Sequence, residues 1–269
     1  MDAILSFGFL QRALLAGAFI SVACAVLGVF LVLRKDAMVG HGLSHVAFAG
    51  VALGLLLKTV PLAMALATAA VAALGLMKLK EKAGLYGDTA LGIISSVGLA
   101  LGVVLATLSN SFNVALFNYL FGEILAIDSL EVWLTLGLAA IVLAVVLLNY
   151  RGLLFMTFDP ESAKAAGVRT SRLDSLVAVL TAVTIVLGIK VVGILLVAAL
   201  LVIPAAAGLQ VARHFKQSLV LASVASLLSV AGGIVAAFLL DLPASASIVL
   251  LSFVIFLAAF IYRLARRGI

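Results

Sequence analysis

The chain has 269 residues, of which 66% are hydrophobic and 10% are charged, and its mean hydropathy is +1.38. Soluble domains usually contain about 45–50% apolar and about 25% charged residues, so this composition excludes a soluble globular domain and indicates an integral membrane protein. The formal net charge of +6 does not indicate nucleic-acid binding, because the basic residues lie in short segments between apolar runs and form no continuous stripe.

Nine apolar runs, bounded by charged residues or by Gly, Pro and Asn clusters, predict membrane-spanning helices. In chain order they cover residues 13–33, 37–57, 60–77, 88–108, 132–149, 173–189, 191–210, 218–240 and 243–262. Each approaches the ~20 residues that an α-helix needs to cross about 30 Å of hydrocarbon. The segment 113–127 is too short to cross, and we expect it to dip into the membrane from the outer side.

The predicted fold is an all-α, polytopic transmembrane bundle of about eight or nine helices with broken or re-entrant segments, formed by a single domain over residues 1–269. The lower number applies if an interfacial or re-entrant piece replaces one span. Pro204, within the run LLVIPAAAGL, is expected to bend or break its helix. The physical reason is that proline lacks a backbone N–H and clashes with the preceding turn.

The distribution of basic residues predicts the orientation of these spans. If the carboxyl terminus is cytoplasmic, all of the 17 Lys and Arg residues except Arg12, Lys58 and Lys190 lie on the cytoplasmic side. Cytoplasmic loops of membrane proteins carry such an excess of Lys and Arg. We therefore expect a multi-pass protein of the cell membrane, the inner membrane where there are two, with its carboxyl terminus in the cytoplasm.

Two histidines lie four residues apart in the stretch VGHGLSHVAFAGVALG, from Val39 to Gly54. On a helix, His41 and His45 share one face with Cβ atoms about 5–6 Å apart, so two neutral imidazoles can bind one metal ion. Ionisable groups inside a span mark a functional site that faces the bundle interior. The alternative is that each histidine only hydrogen-bonds to a neighbouring helix. A metalloprotease needs Glu beside the first His, and Gly42 stands there instead.

The longest cytoplasmic connection contains the stretch DPESAKAAGV, which predicts a short helix near residues 159–168. Asp159 suits the N-cap, Pro160 the first helical position, Glu161 the positive end of the helix dipole and Gly167 the terminus. Ala165 belongs to the Ala-rich turn between them. The helix is either a docking element for a cytoplasmic partner or an ordered surface loop.

A single carboxylate, Glu123 in the stretch LFGEILA, stands in apolar surroundings near the predicted outer face. One interpretation is an ion-path or entrance group that attracts cations. The other is a solvated loop charge, which the residues by themselves favour.

Six stretches of the sequence together form a recognisable pattern. The most specific contains Arg34, Met38, Gly40, Ser44, His45, Gly50 and Gly54. The others are DTALGI from Asp88, YLFGEILAI from Tyr119, DPESAKAAGV from Asp159, VGILLVAALLVIPAA from Val192 and LDLPASASIVL from Leu240. In these stretches, over nearly its whole length, the chain resembles the membrane permease subunit of metal-ion ABC importers, the family that takes up zinc, manganese and iron.

The resemblance implies a set of partners. It implies a dimer with a second permease protomer, a metal pathway between the two, a cytoplasmic P-loop ATPase dimer and an extracytoplasmic metal-binding protein. The chain itself is expected to contact membrane lipid and no nucleic acid. The 159–168 helix would be the coupling helix that sits in a groove of the ATPase. The sequence contains no Gly-Lys dipeptide and hence no phosphate loop of the G-x-x-x-x-G-K-[ST] type. We therefore expect a transport subunit and not an enzyme, with ATP hydrolysis on a separate polypeptide.

In that family an Asp and a His one helical turn apart form the intramembrane metal site. His45 falls at the His position, and His41 falls where the family has Asp. Replacing a hard anionic oxygen by a borderline imidazole nitrogen moves the preference away from Mn²⁺ towards Zn²⁺. We therefore expect zinc first and manganese second as transported ions, with no permanently bound cofactor. Because only neutral imidazole binds a metal, transit is expected to weaken as the pH falls through about 6.5.

Two alternative functions fit the same sequence. An ATP-independent secondary transporter of metal cations would work without an ATPase. An ABC permease for a metal chelate would share the architecture and require a wider translocation path.

Overall fold

A computed structural model describes residues 8–82, 87–109, 114–122 and 128–267 of the chain. These ranges contain twelve α-helices and no β-strand, which confirms the predicted all-α fold. In chain order the helices are α1 (Gly8–Leu33), α2 (Met38–Leu56), α3 (Pro61–Lys82), α4 (Gly87–Leu108), α5 (Val114–Phe121), α6 (Ser129–Leu148), α7 (Tyr150–Phe158), α8 (Pro160–Ala165), α9 (Thr170–Val192), α10 (Ile194–Val211), α11 (Phe215–Leu240) and α12 (Ala244–Arg267).

Eight of the described helices, namely α1, α2, α3, α4, α6, α9, α11 and α12, are long and apolar enough to cross a membrane. A ninth, α10, is apolar but shorter, with its apolar stretch at Leu196–Val211. The predicted polytopic bundle of eight or nine helices is therefore confirmed, and α10 is the element on which the number depends. The short helix α5 lies within the segment expected to be too short to cross.

The interruption between α9 and α10 lies at Gly193 and not at Pro204. Gly193 has φ +83°, and a Cβ added to it would lie 2.6 Å from the backbone nitrogen of Gly122. Only glycine tolerates both this left-handed backbone and so close an approach. The helix α10 continues through Pro204, which is itself buried, so the expected break at the proline is absent. Packing against neighbouring helices keeps a proline-containing membrane helix intact.

The centre of the bundle is α1, which contacts α6, α9, α10 and α11. Its buried side chains run along its length and include Leu10, Ile20, Leu27 and Phe30. The peripheral helices expose large apolar side chains instead, for example Trp133 on α6 and Leu250 on α12. A protein that is apolar both inside and outside is suited to hydrocarbon, in agreement with the membrane prediction.

One end of the bundle carries a charged network. Arg34 pairs with Asp174 and lies 3.8 Å from Asp36, and the Nζ of Lys80 lies 2.6 Å from an Asp36 carboxylate oxygen. These contacts join the end of α1, the turn before α2, the end of α3 and the start of α9. The four helix ends therefore lie on the same side of the bundle, as the predicted alternation of spans requires.

Candidate metal site and coupling helix

The two histidines of the sequence motif meet on one face of α2. Their Nε2 atoms are 3.2 Å apart, and their rings meet edge to face with centroids 4.6 Å apart. In the neutral tautomers one ring donates a hydrogen bond to the other. Two nitrogens that bind one tetrahedral zinc ion at about 2.0–2.1 Å lie about 3.3–3.4 Å apart. The observed separation is therefore close to that of a shared metal ion.

His41 of the pair opens on a small cavity between α2 and α4. The cavity has a volume of about 250 Å³ and is lined by His41 together with Met38, Gly42, Leu91 and Ser95. His41 is exposed and His45 is half-buried. An imidazole on a membrane helix is costly against lipid, so this geometry fits a polar path or a protein partner better than acyl chains.

The opposite face of α2 fixes the direction in which the pair points. Val39 and Leu43 are almost completely buried there. The buried hydroxyl of Ser44 donates to the backbone oxygen of Gly40 at 2.8 Å, so its polar group is satisfied within the helix. On α4, a Cβ added to Gly98 would lie 2.9 Å from a methyl group of Val46, so α4 packs closely beside the histidines. The site is therefore held by packing along most of α2.

The histidines bond to each other and not to a neighbouring helix. Within the described ranges, neither ring forms an interhelical hydrogen bond. No group of three His, Cys, Asp or Glu side chains that could hold a metal ion occurs among the same residues. Among the described residues the site thus offers two nitrogen donors.

The short helix predicted near residues 159–168 is α8, with the expected signals at its ends. Asp159 is its N-cap and accepts from the backbone N–H of Ser162 at 3.0 Å, and Pro160 follows in the first turn. Gly167, with φ +85°, lies in the turn beyond it. Hydrogen bonds from Ser162, first from its side chain and then from its backbone, lower the pKa of Asp159. These caps specify the helix locally.

The exposed surface of α8 is polar and its attachment to the bundle is small. Glu161 and Ala165 are exposed, whereas Ala163 is completely buried. Neighbouring helices α7 and α9 provide its contacts. The helix α8 therefore presents an exposed surface outside the membrane-spanning helices.

Glu123, the candidate ion-path group, lies outside the described residues. Sequence reasoning missed two other features. Ser95 lines the histidine cavity from α4, and no local pattern marks it. The pairing of Arg34 with Asp174 joins residues 140 positions apart, so only the folded chain brings them together.

Comparison with known proteins places the fold and the motifs in one family. The sequence pattern of the ABC 3 transport family matches residues 6–263. A manganese transport system membrane protein, MntC of Halalkalibacterium halodurans, is 33% identical over 97% of this chain and 89% of its own length. The high-affinity zinc uptake system membrane protein ZnuB of Haemophilus influenzae is 36% identical over 96% of this chain and 98% of its own length.

A solved structure agrees with the sequence relatives. PsaBC from Streptococcus pneumoniae, determined in complex with Fab, superimposes with a TM-score of 0.87 and 31% identity. The match covers 96% of this chain and 93% of that chain. The chain therefore belongs to the ABC 3 transport family, and it is a membrane permease of the metal-ion ABC importer type.

Proposed function

We propose that the chain is the permease of an ATP-driven importer for divalent transition-metal ions, with zinc as the first and manganese as the second substrate. The observation that carries this proposal is the 3.2 Å separation of the His41 and His45 Nε2 atoms on a membrane-spanning helix. The named relatives support a metal ion of this class, because they include both a manganese and a zinc system membrane protein.

The choice of zinc rests on the donor atoms. Imidazole nitrogen suits Zn²⁺, whereas carboxylate oxygen suits Mn²⁺. His41 stands where the family has Asp, so the pair contributes two nitrogens and no negative charge.

A second copy of the chain supplies the remaining donors. The exposed His41 faces away from the packed side of α2, so two protomers that meet at this face would bring four imidazoles to one ion. Four nitrogens match the coordination number that zinc prefers in closed sites. Transport also requires release, so the full shell is formed in only one conformation of the dimer.

The energy for transport comes from a cytoplasmic P-loop ATPase dimer that docks on α8. Asp159, Pro160, Glu161, Ala165 and Gly167 shape or present the docking surface. The charged network extends from the start of α9, directly after α8, to Asp36 before α2. Displacement of α8 would therefore reach the helix that carries the histidines. An extracytoplasmic metal-binding protein delivers the ion from the other side.

Metal uptake by cells in which a variant replaces the native chain tests this proposal. We expect His41→Ala and His45→Ala each to reduce zinc uptake more than about tenfold, because even outer-shell partners of a metal cost about 10–100-fold when removed. His214→Asn is the matched control, since His214 caps α11 outside the spans and Asn is also a good N-cap. Wild-type uptake in both alanine variants, at normal membrane abundance, would remove the pair from the mechanism.

A second experiment separates the ATP-driven importer from a secondary transporter. The purified chain is reconstituted alone in liposomes with an internal fluorescent zinc indicator. We expect no zinc movement under a zinc or proton gradient. Zinc movement without an ATPase would contradict the ABC importer mechanism. Competition between free Zn²⁺ and a zinc chelate for binding to the purified chain shows which of the two is the substrate.

A further inference from the structure

A second cavity, of about 440 Å³, lies where the end of α6 and the start of α7 meet the turn before α9. Its lining includes Leu148, Gly152, Arg169 and Arg172. Gly167, in the turn after α8, also lines it, whereas none of the residues of the histidine site does. Because α6 and α9 are both membrane-spanning, the cavity lies at the level of a membrane surface.

The electrostatic character of this cavity is positive. No carboxylate is among the described residues that line it, and neither Arg169 nor Arg172 forms an ion pair or a side-chain hydrogen bond with any described group. In the charged network, by contrast, the basic side chains of Arg34 and Lys80 both contact carboxylates. Two unneutralised guanidinium groups in one cavity form a site for an anion.

The apolar edge of the cavity identifies the kind of anion. Leu148 lines it and is 85% exposed, and Leu147, the preceding residue of the same spanning helix, is 70% exposed. Exposed leucines at the end of a membrane helix contact acyl chains. A ligand that meets both the arginines and Leu148 must therefore carry a negative head on an apolar tail.

We propose that this cavity binds an anionic phospholipid. Arg169 and Arg172 hold the phosphate of the headgroup, and an acyl chain lies against Leu147 and Leu148. Arginine is suited to phosphate because its planar fork donates two parallel hydrogen bonds. The N-terminal end of α9 adds the partial positive charge of the helix dipole beside the same phosphate. This lipid belongs to the cytoplasmic leaflet, an assignment that rests on the proposed function, in which α8 faces a cytoplasmic ATPase.

Native mass spectrometry of the purified full-length chain tests the proposal. The chain is held in mixed micelles with equimolar phosphatidylglycerol and phosphatidylcholine, without metal or ATP. We expect the wild-type chain to retain phosphatidylglycerol in preference to phosphatidylcholine. The double variant Arg169→Gln/Arg172→Gln should weaken this retention roughly thirtyfold, since each basic residue near an anionic surface contributes about fivefold.

Two further variants keep this test decisive. Arg213→Gln/Lys216→Gln removes the same charge from the exposed turn before α11 and should leave retention unchanged. Arg169→Lys/Arg172→Lys keeps the charge, avoids a folding defect and should weaken retention severalfold through loss of the paired hydrogen bonds. Equal retention in all variants, or an equal loss in both glutamine pairs, would overturn the proposal.

The experiment also distinguishes other sources of negative charge. Displacement of phosphatidylglycerol by inorganic phosphate at equal concentration would show that the cavity binds the phosphate alone, and would overturn a lipid site. Unchanged lipid retention with lost ATPase association in the Arg169→Gln/Arg172→Gln variant would assign the arginines to an acidic protein surface instead. Because the readout needs no transport, failure of this proposal leaves the metal-import proposal intact, and the reverse also holds.

Discussion

The histidine pair on α2 and the helix α8 are built in different ways. The helix α2 contacts α3, α4, α9 and α10, and its packing decides which face remains open. The helix α8 has six residues, is capped by its own neighbours in sequence, and buries Ala163 completely. The helix α2 offers nitrogen donors inside the membrane, whereas α8 offers an exposed surface outside the membrane-spanning helices.

This comparison suggests a division of functions, with metal binding at the histidines and coupling to ATP at α8. A binding site needs its donor atoms within a few tenths of an ångström, which rigid packing provides. A docking helix needs a stable shape and an accessible surface, which local capping provides. If the division is correct, changes at α8 alter the coupling to ATP and leave metal binding intact, whereas changes at the histidines do the opposite.

The largest effect is expected from Ala163→Glu. Ala163 is the completely buried residue of α8, and a carboxylate without a partner there costs several kcal/mol. The helix should detach, so that ATPase association and metal uptake fall to background while zinc binding to the purified chain persists. Co-purification with the ATPase and calorimetric zinc binding provide the two readouts. Ala163→Ser, a small change at the same position, is the control. Loss of zinc binding together with coupling would contradict the division.

The next effect is on the pH dependence of zinc binding. Only neutral imidazole is a ligand, so protonation competes with the metal, and affinity falls as the pH falls. Each imidazole ligand competes with one proton, so two such ligands give a steeper fall of zinc affinity with falling pH than one. Calorimetry on the purified chain measures it. The His41→Ala variant should show a shallower dependence, and identical slopes in both proteins would contradict direct ligation by His41.

A smaller effect is expected on metal preference. His41→Asp introduces a carboxylate oxygen in place of an imidazole nitrogen and should shift the ratio of zinc to manganese uptake towards manganese on the order of tenfold. His41→Asn supplies a neutral oxygen and separates the effect of charge from that of donor type. Paired uptake of the two ions in one culture gives the ratio. An unchanged ratio in His41→Asp would show that this position does not select the metal.

The smallest effect is expected at the cap of α8. Asp159→Ala removes the acceptor for the Ser162 backbone N–H and should lower uptake by about twofold or less, because five other residues and Pro160 still favour the helix. Asp159→Asn retains a capping oxygen and should behave as wild type. Since the pKa of Asp159 is lowered in the folded chain, its contribution is present above the ordinary carboxyl pKa and disappears as the pH falls through the lowered value. Equal uptake by the alanine and asparagine variants would exclude a role for the cap.

Local features could be predicted from the sequence because they depend on neighbours within a few residues. The apolar runs predict the long helices, since each run must satisfy its own backbone hydrogen bonds in hydrocarbon. Asp159, Pro160 and Gly167 predict α8 because they determine where a helix begins and ends from within the same short segment. The helix is not broken at Pro204, and the interruption lies at Gly193, where two backbones meet.

The sequence by itself determined a membrane-embedded, all-helical permease, the position of the histidine motif and the capped helix α8. Tertiary structure decided which face of α2 stays open, that Ser95 on α4 lines the cavity beside His41, and that Arg34 reaches Asp174. It also decided that Arg169 and Arg172 share a cavity with Leu148. The reason is physical: periodicity and capping act along the chain, whereas cavities and ion pairs form between helices that are distant in sequence.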